Sequence, residues 1–320
     1  MVRSPAGDTV PLPGMIEFIC NICENRNRAA HNEFGREEAS CSWCGSNVRM
    51  RGLLRALSTE IFGVSLTLPE FPRVKSLRGL GLSDSAQYAE QLASKFDYRN
   101  TFLDRGPRLD LGDPPAQELG TYDFIVSSEV FEHVSPPAAR VFENALRLLK
   151  PAGVLVLTVP YTVGGNTEEH FGGLGEFGLA QVGGKVLLIN RTISGEVQVH
   201  DNLLFHFGSN GPALEMREFS ESGLRDELTR AGFGEVGIYS DNFPDFGIVS
   251  SESWSLPIAA RKGAFRFSRD ATRDVIEQWA ACQKNCREWA GSLWVRLGSK
   301  LGLVDLKPLL ESRRNIAQKR

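Results

Sequence analysis

The chain has 320 residues, of which 42% are hydrophobic and 23% charged, with a formal net charge of −3. That is the composition of an ordinary globular protein, with room for one large domain and appendages or for two domains. It carries no basic excess that would point to nucleic acid. No apolar run approaches the roughly 20 residues of a membrane span. The opening Met1-Val-Arg-Ser-Pro-Ala-Gly-Asp8 lacks the apolar core of a signal peptide, so a cytoplasmic location is expected.

Residues 1–14 are rich in Pro and Gly and are expected to be disordered. A metal knuckle is expected over residues 15–48. Cys20-Asn-Ile-Cys23 and Cys41-Ser-Trp-Cys44 form two C-x2-C pairs separated by seventeen residues. Each pair wraps a tight turn, so that its two thiolates face one centre, and two turns complete a tetrahedron of sulfurs. In a reducing compartment this pattern favours metal over disulfide. A closed four-sulfur shell leaves no position for substrate, so structural zinc is expected at Cys20, Cys23, Cys41 and Cys44. His31 lies between the pairs and is expected at the surface.

The main domain is expected over 49–264. Arg49 to Ser58 reads as a helix docking the knuckle, with its arginines expected on a solvated face and contact with an anionic ligand as the alternative. Arg73–Leu77 reads as a first strand, Gly79-Leu-Gly81-Leu-Ser83-Asp84 as the loop after it, and Ser85–Lys95 as a helix with Tyr88, Ala89 and Leu92 inward. Phe96–Leu103 is a second strand ending at Asp104. Arg108-Leu-Asp110-Leu is a short third strand before Pro114-Pro115. Phe124–Val126 and Val154–Val159 are apolar, β-branched strands. Between them a helix opens at Pro136-Pro and carries the stripe Val141, Phe142, Ala145, Leu148 and Leu149. Lys150-Pro-Ala-Gly153 closes it. Two buried strands joined by one helix make a right-handed parallel crossover, and ligands bind where such strands end. Ser127, Ser128, Glu129, Glu132 and His133 sit at that end.

Residues 161–216 are too long and Gly-rich for a plain connection and are expected to form a substrate insertion. Within it Val186–Asn190 and Glu196–His200 read as a hairpin. Phe219–Phe233 is a helix capped by Ser220 and stopped at Gly232, followed by a strand over Val236–Tyr239. Residues 265–320 are expected to be helical, with Cys282 and Cys286 as buried thiols beside Trp279, Trp289 and Trp294. A basic tail follows: Lys307, Arg313, Arg314, Lys319 and Arg320.

The run Tyr122-Asp-Phe-Ile-Val-Ser-Ser-Glu-Val-Phe-Glu-His-Val134, followed by Leu148-Leu-Lys-Pro-Ala-Gly153, resembles the class I S-adenosylmethionine-dependent methyltransferases in order and spacing. So does Ala231-Gly-Phe233 at the end of the late helix. The resemblance spans roughly residues 73–162 and 217–240. It implies an α/β, Rossmann-like sheet with helices on both faces, carrying the knuckle and a C-terminal helical extension. It also implies S-adenosylmethionine as cofactor. Gly79, Gly81 and Ser83 stand at the family's glycine loop, with Ser in place of its third glycine. Leu77 stands where the family carries an acidic residue, and Asp84 is placed to substitute. Asp104, 21 residues after Ser83, matches the ribose-binding carboxylate. Asp110 matches the acidic residue after the third strand, with Asp113 competing. Ser127 and Glu129 would line the pocket under the methyl group.

Methyl transfer is an in-line displacement in which positioning supplies much of the rate. A base is needed only where the nucleophile must lose a proton. His133 is the first candidate for that role and His170, in the insertion, the second. Glu129, Glu132 and His133 are also donor types able to hold a divalent ion. The knuckle-plus-insertion arrangement is similar to bacterial methyltransferases of sugars or polysaccharides, so a small hydroxylated acceptor, such as a glycan precursor, is the expected partner. The alternative is a methyltransferase-like binding protein without catalysis that presents the knuckle, an alternative that Leu77 and Ser83 favour. A nucleotide-sugar or dinucleotide enzyme on a similar sheet is a third reading.

Overall fold

The computed structural model describes residues 14–208, 211–250 and 252–293, with 295 and 297. The chain divides into a unit of residues 1–71 with 75–266 and a smaller one of 72–74 with 267–320. The expected N-terminal disorder up to residue 13, Trp294 and the basic tail lie outside the described residues.

The larger unit opens with an antiparallel hairpin of β1 (Met15–Ile19) and β2 (Arg26–Ala30). Helix α1 (Val48–Phe62) follows. Asn47 caps it, its side chain accepting from the Met50 amide at 2.8 Å, and Gly63 ends it with φ +73°. Then come β3 (Val74–Leu82), α2 (Ala86–Lys95), β4 (Phe96–Thr101), β5 (Tyr122–Ser128), α3 (Ala138–Leu148) and β6 (Leu149–Thr158). The insertion carries β7 (Tyr161–Thr162), β8 (Glu168–Glu169), β9 (Glu176–Val182), β10 (Lys185–Arg191), β11 (Val197–His200), β12 (Phe205–Gly208), β13 (Gly211–Leu214) and β14 (Arg217–Ser220). Helix α4 (Glu221–Ala231), β15 (Glu235–Ile238) and β16 (Ile258–Arg261) complete the unit.

The central sheet has the order β15-β16-β6-β5-β3-β4. β3, β5 and β6 run parallel, while β16 is antiparallel to both β6 and β15. This is the mixed, mostly parallel α/β sheet expected. Its central strands are buried on both faces, as parallel strands under crossover helices must be. Leu155 and Leu157 of β6 join one core with Phe142, Ala145 and Leu148 of α3 and Leu224 and Leu228 of α4. Val154 and Val156 point the other way and are also fully buried. Lateral support there comes from α1, which lies against β6 and β16.

Three expectations for this unit need correction, and one is extended. β3 does not stop at Leu77. It continues through Gly79 and Gly81, which pair with Phe124 and Val126 of β5. A Cβ on Gly79 would collide with the Phe124 ring, and one on Gly81 with the Tyr98 hydroxyl and the Asp84 carboxyl. Both glycines therefore serve close packing within the sheet, and the turn begins at Ser83, whose φ is +56°. The third strand is reduced to a single parallel bridge between Phe102 and Arg108. The arginines of α1 do not form a solvated face: Arg51 is fully buried, and the Arg49 side chain is 12% exposed. The insertion hairpin β10–β11 is present, but β9 joins it as a third antiparallel strand through the tight turn Gly183-Gly184, both with positive φ.

The smaller unit contains α5 (Arg269–Gly291), capped by Ser268, whose hydroxyl accepts from the Ala271 amide. Arg73 exchanges backbone hydrogen bonds with the Gln278 side chain. The expectation of two buried thiols fails here: Cys282 is exposed and Cys286 half-buried, while Trp279 and Trp289 are 60% and 52% exposed.

Candidate functional site

Three polar assemblies meet where β3 and β5 end. The first is the knuckle. Cys20 and Cys23 close the β1–β2 turn, and Cys41 and Cys44 close a second turn before α1. Their sulfurs lie 3.7 Å (Cys20–Cys44), 3.6 Å (Cys23–Cys41) and 3.6 Å (Cys41–Cys44) apart. A tetrahedral zinc with ~2.3 Å bonds has sulfur–sulfur edges of about 3.8 Å, so the donor set fits that ion. The hydrogen bond that the Cys20 thiol donates to Cys44, aided by burial, pushes Cys20 up to about 12, and the same bond lowers Cys44. The Arg51 guanidinium, buried beside the knuckle and within electrostatic reach of its four thiols, would offset part of the −2 charge of a zinc tetrathiolate. It donates to the carbonyls of Ser46 and Gly247 at 2.7 and 2.8 Å, and to the Ser40 hydroxyl at 2.7 Å. His31 is exposed, away from this role.

The second assembly ties the knuckle to the strand ends. Arg36 donates through Nη2 and Nη1 to the two carboxylate oxygens of Glu129, at 2.8 and 3.1 Å. Arg49 donates to the Ser128 hydroxyl and, through Nε and Nη2, to Glu37 at 2.7 Å each. Gln87 and Gln91 of α2 donate to the Cys44 and Ile22 carbonyls at 2.6 and 2.9 Å. Glu129 holds φ at +57°, an uncommon conformation for a residue with a side chain. Beside it Ser127 is fully buried, and its hydroxyl has no hydrogen-bond partner among the described residues.

The third assembly joins the turn after β5 to the insertion. Leu214 O can only accept, so His133 Nδ1 donates to it at 2.9 Å and Nε2 keeps the lone pair. Burial holds His133 below the usual histidine range, which favours the neutral ring at pH 7. Glu215 Oε1 meets His170 Nε2 at 2.8 Å, and its Oε2 meets His206 Nε2 at 2.6 Å. The His206 ring stands nearly perpendicular to that of His133, with centroids 5.3 Å apart. Fully buried Arg217 clamps the turn from below. It donates to the carbonyls of Phe131 and Val134 at 2.8 and 2.7 Å and to Glu169 at 2.7 Å.

The candidate residues divide accordingly. Ser127, Glu129, His133 and His170 come together at the end of β5. Gly79 and Gly81 lie inside β3. Asp84 is buried under that strand end, accepting from the Tyr88 hydroxyl at 2.8 Å and from that of Tyr98; burial raises its carboxyl to about 7. Asp104 is exposed in the loop beyond β4, and Asp110 accepts from the Gly112 amide in a local turn. Arg36, Arg49, His206, Glu215 and Arg217 were not singled out as site residues from sequence.

A family model described as a methyltransferase domain matches residues 79–234. The match spans 156 of the 320 residues, a little under half of the chain. It supports an enzyme of the methyltransferase type, and with it S-adenosylmethionine-dependent transfer, the class expected from the sequence. Among solved structures, the chain is similar to a Burkholderia thailandensis 1,6-didemethyltoxoflavin-N1-methyltransferase, with 14% identity, TM-score 0.36, and 66% of this chain and 78% of that one covered. A putative S-adenosylmethionine-dependent methyltransferase from Listeria monocytogenes gives 12% identity, TM-score 0.38, and coverages of 66% and 98%. A methyltransferase from Mesorhizobium loti gives 15%, 0.35, and coverages of 60% and 94%. A search of curated proteins gives no match. Among the described residues, no helix is long and apolar enough to cross a membrane.

Proposed function

We propose that the enzyme transfers a methyl group from S-adenosylmethionine to a hydroxyl of a small acceptor, with a sugar or glycan precursor as the favoured class. The observation that supports this best is the meeting of a neutral, oriented imidazole, His133, with a zwitterion-matching set at the end of β5. The bound donor would supply an electrophilic methyl on sulfur. Its amino-acid end carries one carboxylate and one ammonium. Arg36 and Arg49 suit the carboxylate, Glu129 suits the ammonium, and the orphaned Ser127 hydroxyl offers a further polar contact. Asp104 and Asp110 remain the proposed contacts for the adenosine part. Gly79 and Gly81 would act indirectly, by letting Tyr98 and Phe124 pack closely, while Ser83 and Asp84 shape the turn.

His133 Nε2 is the proposed base. Its Nδ1–H is fixed by Leu214 O, so the lone pair is on the nitrogen that faces the turn. The acceptor proton would move to Nε2 as its oxygen attacks. His170, held by Glu215, would close the acceptor side from the insertion. The knuckle, with structural zinc at Cys20, Cys23, Cys41 and Cys44, would carry Arg36 to its place. The test is calorimetric titration with S-adenosylmethionine and with its demethylated product. Micromolar binding of both supports the donor pocket; a folded, zinc-loaded protein that binds neither overturns the proposal.

A further inference from the structure

The geometry points to a divalent-cation site formed by Glu132, His133 and His206, distinct from the four-cysteine knuckle. One donor atom from each of the three lies within 4.8 Å of the others. The Glu132 side chain is fully buried, and neither of its carboxylate oxygens has a hydrogen-bond partner among the described residues. An unpaired carboxylate in such a place is destabilising, and a bound ion is one of the few things that offsets it.

The two histidines are arranged as ligands are. His133 Nδ1–H is taken by the Leu214 carbonyl, which leaves Nε2 facing Glu132 Oε1 at 3.6 Å. Two donors about 2.1 Å from one ion sit roughly 3.0–3.5 Å apart, so this pair needs little adjustment. A ligand imidazole that gives its second N–H to a carbonyl is the usual outer-shell device for fixing the ring and its tautomer. Glu215 braces His206 and His170 in the same way. Glu169 and the buried Arg217 hold the Phe131–Val134 turn, and Glu129 is engaged by Arg36, which leaves Glu132 as the carboxylate donor.

Two imidazoles and one carboxylate suit a first-row divalent ion such as Mn2+ or Zn2+, whereas the knuckle's four thiolates select zinc. Three protein ligands leave at least one position open. The side chains of His133 and His206 are 16% and 36% exposed, so that position is within reach of a ligand from solvent. With the ion bound, His133 Nε2 would be a ligand and not the base, and an acceptor hydroxyl seated at the open position would instead lose its proton to water more readily. That use of the ion rests on the methyl-transfer reading; the ion's presence does not.

The test titrates the full-length, zinc-replete protein with Mn2+, following free Mn2+ by electron paramagnetic resonance and counting zinc by mass spectrometry. One bound Mn2+ per chain, or a second zinc in micromolar zinc excess, is the expected result. In His206→Ala and Glu132→Gln the extra ion should bind at least tenfold more weakly, with one zinc retained in the knuckle. His206 is half-exposed, so its variant keeps the test valid if the buried Glu132→Gln chain does not fold. A folded wild type holding only one zinc and no manganese overturns the site, as does equal binding by His206→Ala. A separate titration with S-adenosylmethionine distinguishes the two proposals. Manganese binding without donor binding sinks the methyl-transfer reading and leaves the cation site standing.

Discussion

Arg36, carried by the cysteine knuckle, grips both carboxylate oxygens of Glu129, the residue that ends β5 in a left-handed turn. A segment too short to build its own core thus reaches the strand ends where an α/β sheet binds ligands. The side chains are 15% and 22% exposed, so the pair is partly shielded from solvent.

Replacing Arg36 with Ala should therefore lower stability by about 1–3 kcal/mol, since Glu129 would lose its partner in a semi-buried place. Donor affinity should fall about tenfold, and Arg36→Lys should recover little because the two-pronged geometry is lost. Urea denaturation and calorimetry read the two effects. Unchanged donor affinity in a folded Arg36→Ala protein would remove Arg36 from the donor site.

Removing the knuckle's metal should be costlier. Cys41→Ser, or treatment with a strong chelator, should release one zinc per chain and lower the melting temperature by on the order of 10 °C. Zinc content and a thermal melt suffice to check it. A native protein of full stability that holds no metal would refute the zinc assignment.

His133→Ala should reduce turnover about 10²–10⁴-fold while donor affinity changes little, the signature of a base rather than a binding group. In the wild type, burial holds this imidazole below 6.5, so activity should fall only as pH drops through a value lower than 6.5. A pH–rate profile with its acidic limb above 6.5, or an active His133→Ala enzyme, would transfer the role elsewhere.

Asp84 gives a pH dependence of stability opposite to that of most carboxylates. Its carboxyl rises from 3.8 to about 7 in the folded state because burial outweighs the hydrogen bonds from Tyr98 and Tyr88. Between those values the folded protein keeps a proton that the unfolded chain has released. Its contribution is thus fully present below 3.8 and is lost as pH rises toward 7. Relative to Asp84→Asn, the wild type should lose up to a few kcal/mol across this window. Denaturation curves at several pH values test this, and parallel slopes for the two proteins would contradict it.

Arg217→Met should loosen the Phe131–Val134 turn without touching substrate. We expect kcat to fall at least tenfold, with the acidic limb of the pH profile displaced because His133 is no longer held against Leu214. A loss of stability with an unmoved profile would make Arg217 purely structural.

The sequence alone was enough for the frame. Val154–Val159 and Phe124–Val126 are apolar on both faces, which only a covered parallel strand tolerates, and the α3 stripe repeats at helical spacing. The two C-x2-C pairs declared a four-sulfur cluster because their chemistry is written in local spacing. Local signals misled where tertiary packing decides. Gly79 and Gly81 read as a loop, yet they continue β3, because Phe124 and Tyr98 occupy the room that side chains there would need. The solvated face expected for Arg49 and Arg51 is instead buried beneath the knuckle, a contact no helical periodicity encodes. His206, Glu215 and Arg36 come from segments far from His133 and Glu129 in the chain, and only the folding of the insertion and knuckle onto the β5 end sets them together. Spacing along the chain reports periodicity and local turns; which distant charges share a buried site is fixed by long-range packing, and there the tertiary structure alone decides.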